Sequence, residues 1–481
     1  MNRIAKNYIL NLTYEIVSII VPLLTAPYLT RVLHSENYGV YSYVQSIATI
    51  ISSVSLLGVY SYGNRQIAYC RDNLQELSST FWELMILRGI LGFIGTIVYL
   101  VVAMFSNYGV YFGLYYAYYL AIIIDCSWVF VGMENMLPCV LKNIAAKLLA
   151  FIGVFFCVRM ETDVGKYMVL VAVSPLFANI SVYTQLRGII RKPYISWKRV
   201  LTHLRGSFFL YLPQIASLLY LQMDKAMLGG MTGAISQVSF YDQAEKIVTI
   251  ALSCITALST VLMPRIANEY KKGNNERISF YVNKAARFSL AMAIPMAIGL
   301  MCIATRLIPW YLGNDYIPTA YAIIAISPIT ISNALIGISG KQYFVATDNI
   351  KIITISNFAA AGVNLAINAL LIPQYGYMGA AIATLIASFT NVLIQFVALN
   401  KYIKIKAVLQ GSLHYFVLSV FMGVIIVIET RTLGLRATVS TTVIQILSGL
   451  FFYLGLLLLM KDEVAMFTVD IIREMIRRRR K

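Results

Sequence analysis

The chain has 481 residues, 59% of them apolar and only 12% charged, where a water-soluble domain carries roughly 45–50% and about 25%. That balance excludes an ordinary soluble fold and leaves room for more than a dozen membrane spans at ~20 residues each. The formal net charge of +18 therefore has to be read by its placement along the chain, not as a nucleic-acid footprint.

Apolar stretches separated by charged or turn residues predict an all-α polytopic membrane protein with fourteen transmembrane helices. In the first half they fall at about 8–30, 38–62, 81–105, 110–132, 139–158 and 167–186. In the second they fall at about 208–230, 241–264, 285–308, 318–339, 352–372 and 377–400, with a further pair at 408–428 and 438–460. The first stretch follows Arg3 and Lys6 but is too long for a signal peptide and lacks a small-residue cleavage site, so it reads as a span.

Lysine and arginine should concentrate in cytoplasmic connections. With the N-terminus inside, inner segments hold 30 of the 39 basic residues, outer connections hold 8, and Arg88 lies mid-span. A wrong number of spans would scramble that alternation. Both termini are thus expected in the cytoplasm.

The predicted organisation is a six-helix bundle over 1–190, a basic cytoplasmic linker over 191–207, a second six-helix bundle over 208–402, an added helix pair over 403–460 and a basic tail over 461–481. A weak internal repeat at a spacing of about 200 residues supports two like bundles. The segment 29–47 ends a span in a small polar turn and restarts on Tyr41; the segment 226–247 does the same with Tyr241. Transporters built from such repeats hold substrate at the repeat interface and rock one bundle against the other. The tail, ending in Arg477 to Arg480 and Lys481, suits anionic headgroups or simply enforces orientation.

Motifs for other chemistry are missing. The six cysteines form no CxxC pair, and His34, His203 and His414 are far apart in sequence. There is no GxxxxGK(S/T), GxSxG, HExxH or DxD pattern. No catalytic residue and no bound cofactor or metal centre is expected, so transport would draw on an ion gradient or on the substrate's own.

Ionisable side chains at span depth cost a few kcal/mol or more and usually face a cavity or a partner. Glu15, Glu83, Arg88, Asp125 and Asp224 are the clear cases. Arg31, Arg65, Arg88, Lys225 and Lys246 are candidates to line a cationic cavity for a phosphate-bearing substrate, since arginine grips pyrophosphate through two parallel hydrogen bonds. End-of-span snorkelling is the alternative for Arg31, Arg65 and Lys246. Asn364 and Asn368, four apart and so on one helix face, could join Thr384 and Asp224 as oxygen ligands for sodium, or bond neighbouring helices instead. The abundant tyrosines, 33 in all, fit interfacial belts, and no sugar site is assigned from them.

The run Pro27, Tyr28, Leu29, Thr30, Arg31, Val32, Leu33, then Tyr38, Gly39, Val40, Tyr41, Leu57, Gly58 and Arg65, resembles the start of the polysaccharide flippase family. So does Leu371, Ile372, Pro373, Gln374, Tyr375, Gly376, continuing to Gly379, Ala380, Ala381, Ala383 and Thr384. The likeness to these Wzx-type flippases, of the superfamily that also holds multidrug extruders and lipid II flippases, runs along essentially the whole chain. It implies a flippase for undecaprenyl-pyrophosphate-linked oligosaccharide repeat units of O-antigen, capsule or teichoic acid, moved from the inner to the outer leaflet by alternating access. It also implies sodium at positions matching Asp224, Asn364, Asn368 and Thr384, although only asparagine stands on span eleven where relatives commonly carry an acid. A proton carried by Asp224 or Glu15 is the other coupling. Implied partners are the lipid-linked substrate, membrane lipids and a glycan polymerase or other biosynthetic proteins, with no nucleic acid. The competing functions are a cation-coupled multidrug exporter and a membrane glycan polymerase or ligase.

Overall fold

The computed structural model describes residues 3–191, 195–466 and 469; most of the basic tail, and Lys192 of the linker, lie outside these. The structure is all-helical and divides into two compact units, residues 1–239 and 240–481. Among the described residues, ten helices are long and apolar enough to cross a membrane, or eleven with one bent pair counted as a span.

In the first unit, α1 (Arg3–Ser55) carries the first predicted segment and most of the second. His34, at φ 56°, turns the backbone between them, a left-handed value unusual for a residue with a side chain. The turn through Leu57 and Gly58 (φ 67°) starts α2 (Val59–Cys70). A side chain at Gly58 would also lie 2.6 Å from Tyr211, so both backbone and space demand glycine there. Then follow α3 (Leu74–Phe105), α4 (Gly109–Ile124), α5 (Ser127–Gly132), α6 (Leu137–Cys157), α7 (Val164–Tyr183) and α8 (Trp197–Met231). The predicted segment 110–132 is therefore two helices, broken between Ile124 and Ser127.

Trp128 of α5, fully buried, stacks on Phe81 of α3 with ring centroids 5.8 Å apart. The same indole packs against Gly63 of α2, where a Cβ would come within 2.7 Å of it. On the other side of α3, Phe93, Ile94, Ile97, Val101 and Phe105 are exposed, an apolar surface made for acyl chains.

Arg191 and residues 195–207 belong to the first unit, and the unit boundary falls at residue 240. The reason is local: the Arg191 amide donates to Ser78 Oγ (2.9 Å), Trp82 Nε1 donates to the Arg191 carbonyl (3.3 Å), and the start of α8 binds Glu83 of α3.

The second unit comprises α9 (Ser236–Lys271), which begins four residues before the boundary, α10 (Asn275–Tyr311), α11 (Ile317–Ile326), α12 (Ile329–Ile336), a π-helical turn over Gly337–Phe344, α13 (Ile350–Tyr375), α14 (Tyr377–Leu399), α15 (Ile405–Val408), α16 (Ser412–Thr432) and α17 (Val439–Leu459). α10 is its axis: Tyr453 of α17 donates to the Ala291 carbonyl (2.8 Å), and Trp310 Nε1 donates to Thr442 (2.8 Å). Pro328 sits in the break that bends 314–326 against 329–344 by 45°, as proline does. Beyond it the π-turn is tied by Gln395 of α14, which accepts from Ser339 (2.6 Å) and donates to Ser356 of α13 (3.0 Å). Gly376 (φ 53°) alone separates α13 from α14. Gly379 completes that turn, since a Cβ there would fall 2.5 Å from the Leu371 carbonyl.

Candidate functional site

The first unit displays polar groups on helices otherwise dressed for lipid. Along α1, Asn11 and Glu15 are exposed one turn apart and joined by a 3.3 Å hydrogen bond. Between them Tyr14 carries Lys147 of α6 over its ring at 5.2 Å. Arg31, further along, is exposed and donates to the Pro27 carbonyl one turn back (2.8 Å). Arg65 of α2 is exposed, donates through Nε to Tyr69 Oη (2.7 Å) and lies over that ring at 5.5 Å. Charges at span depth do not face acyl chains when a wet surface is on offer, so exposed Glu15, Arg31 and Arg65 are the groups of this unit suited to a polar cavity.

Arg88 lies elsewhere. It is 2% exposed and sits at the break between α4 and α5, donating through Nε to the Ile123 carbonyl (3.1 Å) and through Nη2 to that of Ile122. Asn179 and Tyr183 of α7 satisfy the neighbouring carbonyls of Ala121 (2.7 Å) and Ile124 (2.6 Å). Four carbonyls at the C-terminal end of α4 thus meet side-chain donors, and the negative end of that helix supports the guanidinium. Asp125 pairs with Lys142 of α6 (2.6 Å), which also donates to Asn179. The Asp125 carboxylate accepts from the Ser127 amide (3.0 Å) as α5 begins. The Asp-x-Ser spelling is the sequence signal that marks this break.

Glu83, fully buried on α3, gathers the start of α8. Its Oε1 accepts from the Ser196 amide (3.1 Å); its Oε2 faces Arg199 Nε (3.1 Å) and His203 Nε2 (3.2 Å). His203 Nδ1 lies 3.1 Å from the Tyr62 hydroxyl. A neutral imidazole protonated on Nε2 satisfies both contacts, donating to Glu83 and accepting from Tyr62. Burial agrees, holding this imidazole below its ordinary pKa in spite of the carboxylate beside it. At a neighbouring corner, Arg71 and Glu134 pair at 2.7 Å, and the bond raises the Arg71 pKa above its usual value.

Of the oxygen-rich candidates, Asp224 is buried on α8 in the first unit, next to Lys225. Within the second unit Asn368 Nδ2 donates to Asn364 Oδ1 (3.1 Å), and Thr384 donates to the Ala380 carbonyl (2.9 Å) while meeting the Tyr241 hydroxyl at 2.8 Å. Lys246 pairs with Asp242 (2.5 Å), a buried acid on α9 beside Tyr241. Sequence reasoning passed over Asp242, although its i,i+4 spacing to Lys246 was the available clue. Among the described residues no group of three or more His, Cys, Asp or Glu is placed to hold a metal ion.

The pattern described as Polysaccharide biosynthesis protein matches residues 4–269, more than half of the chain. The chain belongs to the polysaccharide biosynthesis protein family. A second pattern, Lipid II flippase MurJ, matches residues 196–452. The chain is 23% identical over 392 residues to a protein of Escherichia coli (strain K12) named as an O-antigen transporter, covering 79% of this chain and 94% of that one. To a Haloferax volcanii protein named as the low-salt glycan biosynthesis flippase Agl15 it is 22% identical over 263 residues, 52% of this chain and 55% of that one. Among solved structures, the fold is like that of lipid II flippase MurJ in an inward closed conformation, with TM-score 0.70, 17% identity and 97% and 100% of the two chains covered. It is also like that of an outward-facing multidrug resistance MATE family transporter of the MOP superfamily, with TM-score 0.57, 14% identity and 85% and 96% covered. This member of the polysaccharide biosynthesis protein family is thus a multi-pass membrane protein with a fold like those of the MurJ and MATE structures.

Proposed function

We propose that the protein is a flippase that carries undecaprenyl-pyrophosphate-linked oligosaccharide repeat units from the inner to the outer leaflet by alternating access, for O-antigen, capsule or teichoic acid. The observation that carries the reading is the exposure of Arg31 on α1 and Arg65 on α2, in a chain of this family. A pyrophosphate is the anionic group two arginines fit, through paired N–H···O bonds. In this reading the protein is a transporter and not an enzyme, and it has fourteen spans in two six-helix bundles plus a helix pair. It stands in a bacterial cytoplasmic membrane with both termini inside. Lys225 of the first unit and Lys246 of the second are the further cationic candidates for the substrate. Asp224, Asn364, Asn368 and Thr384 take the coupling sodium, with Glu15 or Asp224 as carrier if the coupling ion is a proton.

The MATE-like fold makes multidrug export the second reading. A cationic drug needs an acidic wall, whereas the exposed arginines here repel it, so the glycan lipid is favoured. Arg31→Ala and Arg65→Ala are each expected to lower surface polysaccharide at least about tenfold with protein in the membrane at its normal level, each having lost a charged bond of about 1.5–3 kcal/mol. Immunoblots of cell-surface glycan against membrane protein check this, and wild-type glycan in both variants overturns the assignment. The flippase itself is tested in proteoliposomes: purified protein should move a fluorescent lipid-linked oligosaccharide across the bilayer, and glycan lengthening there would mean a polymerase instead.

A further inference from the structure

We infer that the outward face of α2 reads the sugars next to the pyrophosphate, with Tyr60, Ser61 and Asn64 as neutral contacts beside Arg65. The inference rests on the flippase reading above and adds which part of the cargo this helix recognises.

Twelve residues form α2, and they are two-sided. Val59, Gly63, Ile67 and Cys70 are buried, seated by the close approach of Gly63 to Trp128. Positions 60, 61, 64, 65 and 69 make up the rest of the surface: Ser61, Arg65 and Tyr69 stand away from the buried row, and Asn64 and then Tyr60 lead round to its edge beside Ile67. Tyr60 is 40% and Tyr69 68% exposed, and Arg65 is exposed. A short helix whose outer face is tyrosine, hydroxyl, amide and guanidinium is poorly suited to acyl chains, because each of these groups would be stripped of water there. It suits a ligand that is itself half apolar and half hydroxylated. A sugar ring offers a C–H face to a tyrosine ring and a rim of hydroxyls to an amide and an alcohol, the mixed surface that tyrosine serves. Ser61 is held only loosely, meeting Gln214 Nε2 at 3.5 Å, the outer limit of a hydrogen bond. A ligand hydroxyl can replace that contact at little loss.

Charge sets the direction along the helix. Arg65 is the one cation of this face and its Nε is fixed by Tyr69, which leaves the two terminal amino groups for phosphate oxygens. Tyr60 lies five residues earlier, about 7.5 Å along the axis at 1.5 Å per residue. A ligand anchored by phosphate at Arg65 therefore lays its first sugars along Asn64, Ser61 and Tyr60. No acid stands among these positions, and Asp125, the acid nearest Tyr60, is paired with Lys142, so the face matches neutral sugars on an anionic link.

The test uses the purified full chain and two probes: undecaprenyl pyrophosphate alone, and the same lipid carrying an N-acetylglucosamine–galactose disaccharide. Wild type is expected to bind the glycosylated probe more tightly. Tyr60→Leu and Asn64→Ala should each shrink that ratio of affinities, together by about tenfold, and Tyr60→Phe should restore most of the tyrosine's share. Arg65→Gln should weaken both probes together and hold the ratio. Both neutral substitutions lie outside the buried row, and thermal melting of each variant identifies any that misfolds, in which case the other carries the test. An unaltered ratio in Tyr60→Leu and Asn64→Ala overturns the inference while leaving the flippase standing. Wild-type protein that binds and flips neither probe overturns the flippase reading and this inference with it.

Discussion

Replacing Glu83 by alanine is expected to lower the stability of the first unit by a few kcal/mol, since the Ser196 amide and His203 Nε2 each lose their acceptor at about 1–3 kcal/mol while half-exposed Arg199 turns to water. The carboxylate is fully buried and serves the Ser196 amide, Arg199 and His203 at once. Its loss strands His203 and leaves the helix start without its anchor on α3. Glu83→Gln keeps an acceptor for Ser196 but surrenders the charge facing Arg199, so its loss should be intermediate. The check is a thermal melt of the detergent-solubilised protein, read beside surface glycan in cells. A Glu83→Ala protein that melts with wild type would show that α8 is held by apolar packing alone.

The second large effect falls at the broken helix. Arg88→Ala withdraws the donors of the Ile122 and Ile123 carbonyls, and two buried acceptors left unpaired at about 1–3 kcal/mol each sum to a loss of several kcal/mol. Arg88→Lys keeps the charge but cannot reach two carbonyls with a rigid fork, so it should recover only part. Asp125→Ala exposes the other half of the arrangement, leaving Lys142 a buried cation without its carboxylate, at about 3–5 kcal/mol. These variants should lower membrane protein levels as well as surface glycan. Membrane fractions and melting curves measure the first; normal levels with lost glycan would return Arg88 to the cargo path.

That contrast shows what the sequence could and could not convey. Helices lie over the predicted segments because an apolar run of ~20 residues has few other outcomes. The hairpin of α13 and α14 was legible as the break between the segments 352–372 and 377–400, whereas the turn at Gly58 fell inside the predicted segment 38–62. Arg88 was read as lining a cavity because a mid-span arginine usually does. Its actual setting depends on α7 supplying Asn179 and Tyr183 from some 55 to 60 residues away, a meeting that no local pattern encodes. Likewise the stretch 191–207, basic and short of apolar residues, reads as a linker. Its docking onto α3 follows from one buried glutamate and two residues four apart on α8. The two-sided face of α2 was hidden because residue 62 was read as the end of a span, and its polar positions fell in the connection.

The single residue between α13 and α14 also bears on how the protein is made. α13 carries Asn364 and Asn368, both buried against neighbours in the finished structure, and a helix with paired amides is a reluctant guest in lipid on its own. With only Gly376 between them, the two helices are joined closely enough that entry into the bilayer as a pair is the expected route. The more apolar α14 can then bring its polar neighbour into the bilayer during synthesis. The asparagines are thereby shielded from the moment of entry, and a position with polar chemistry is kept without an insertion defect.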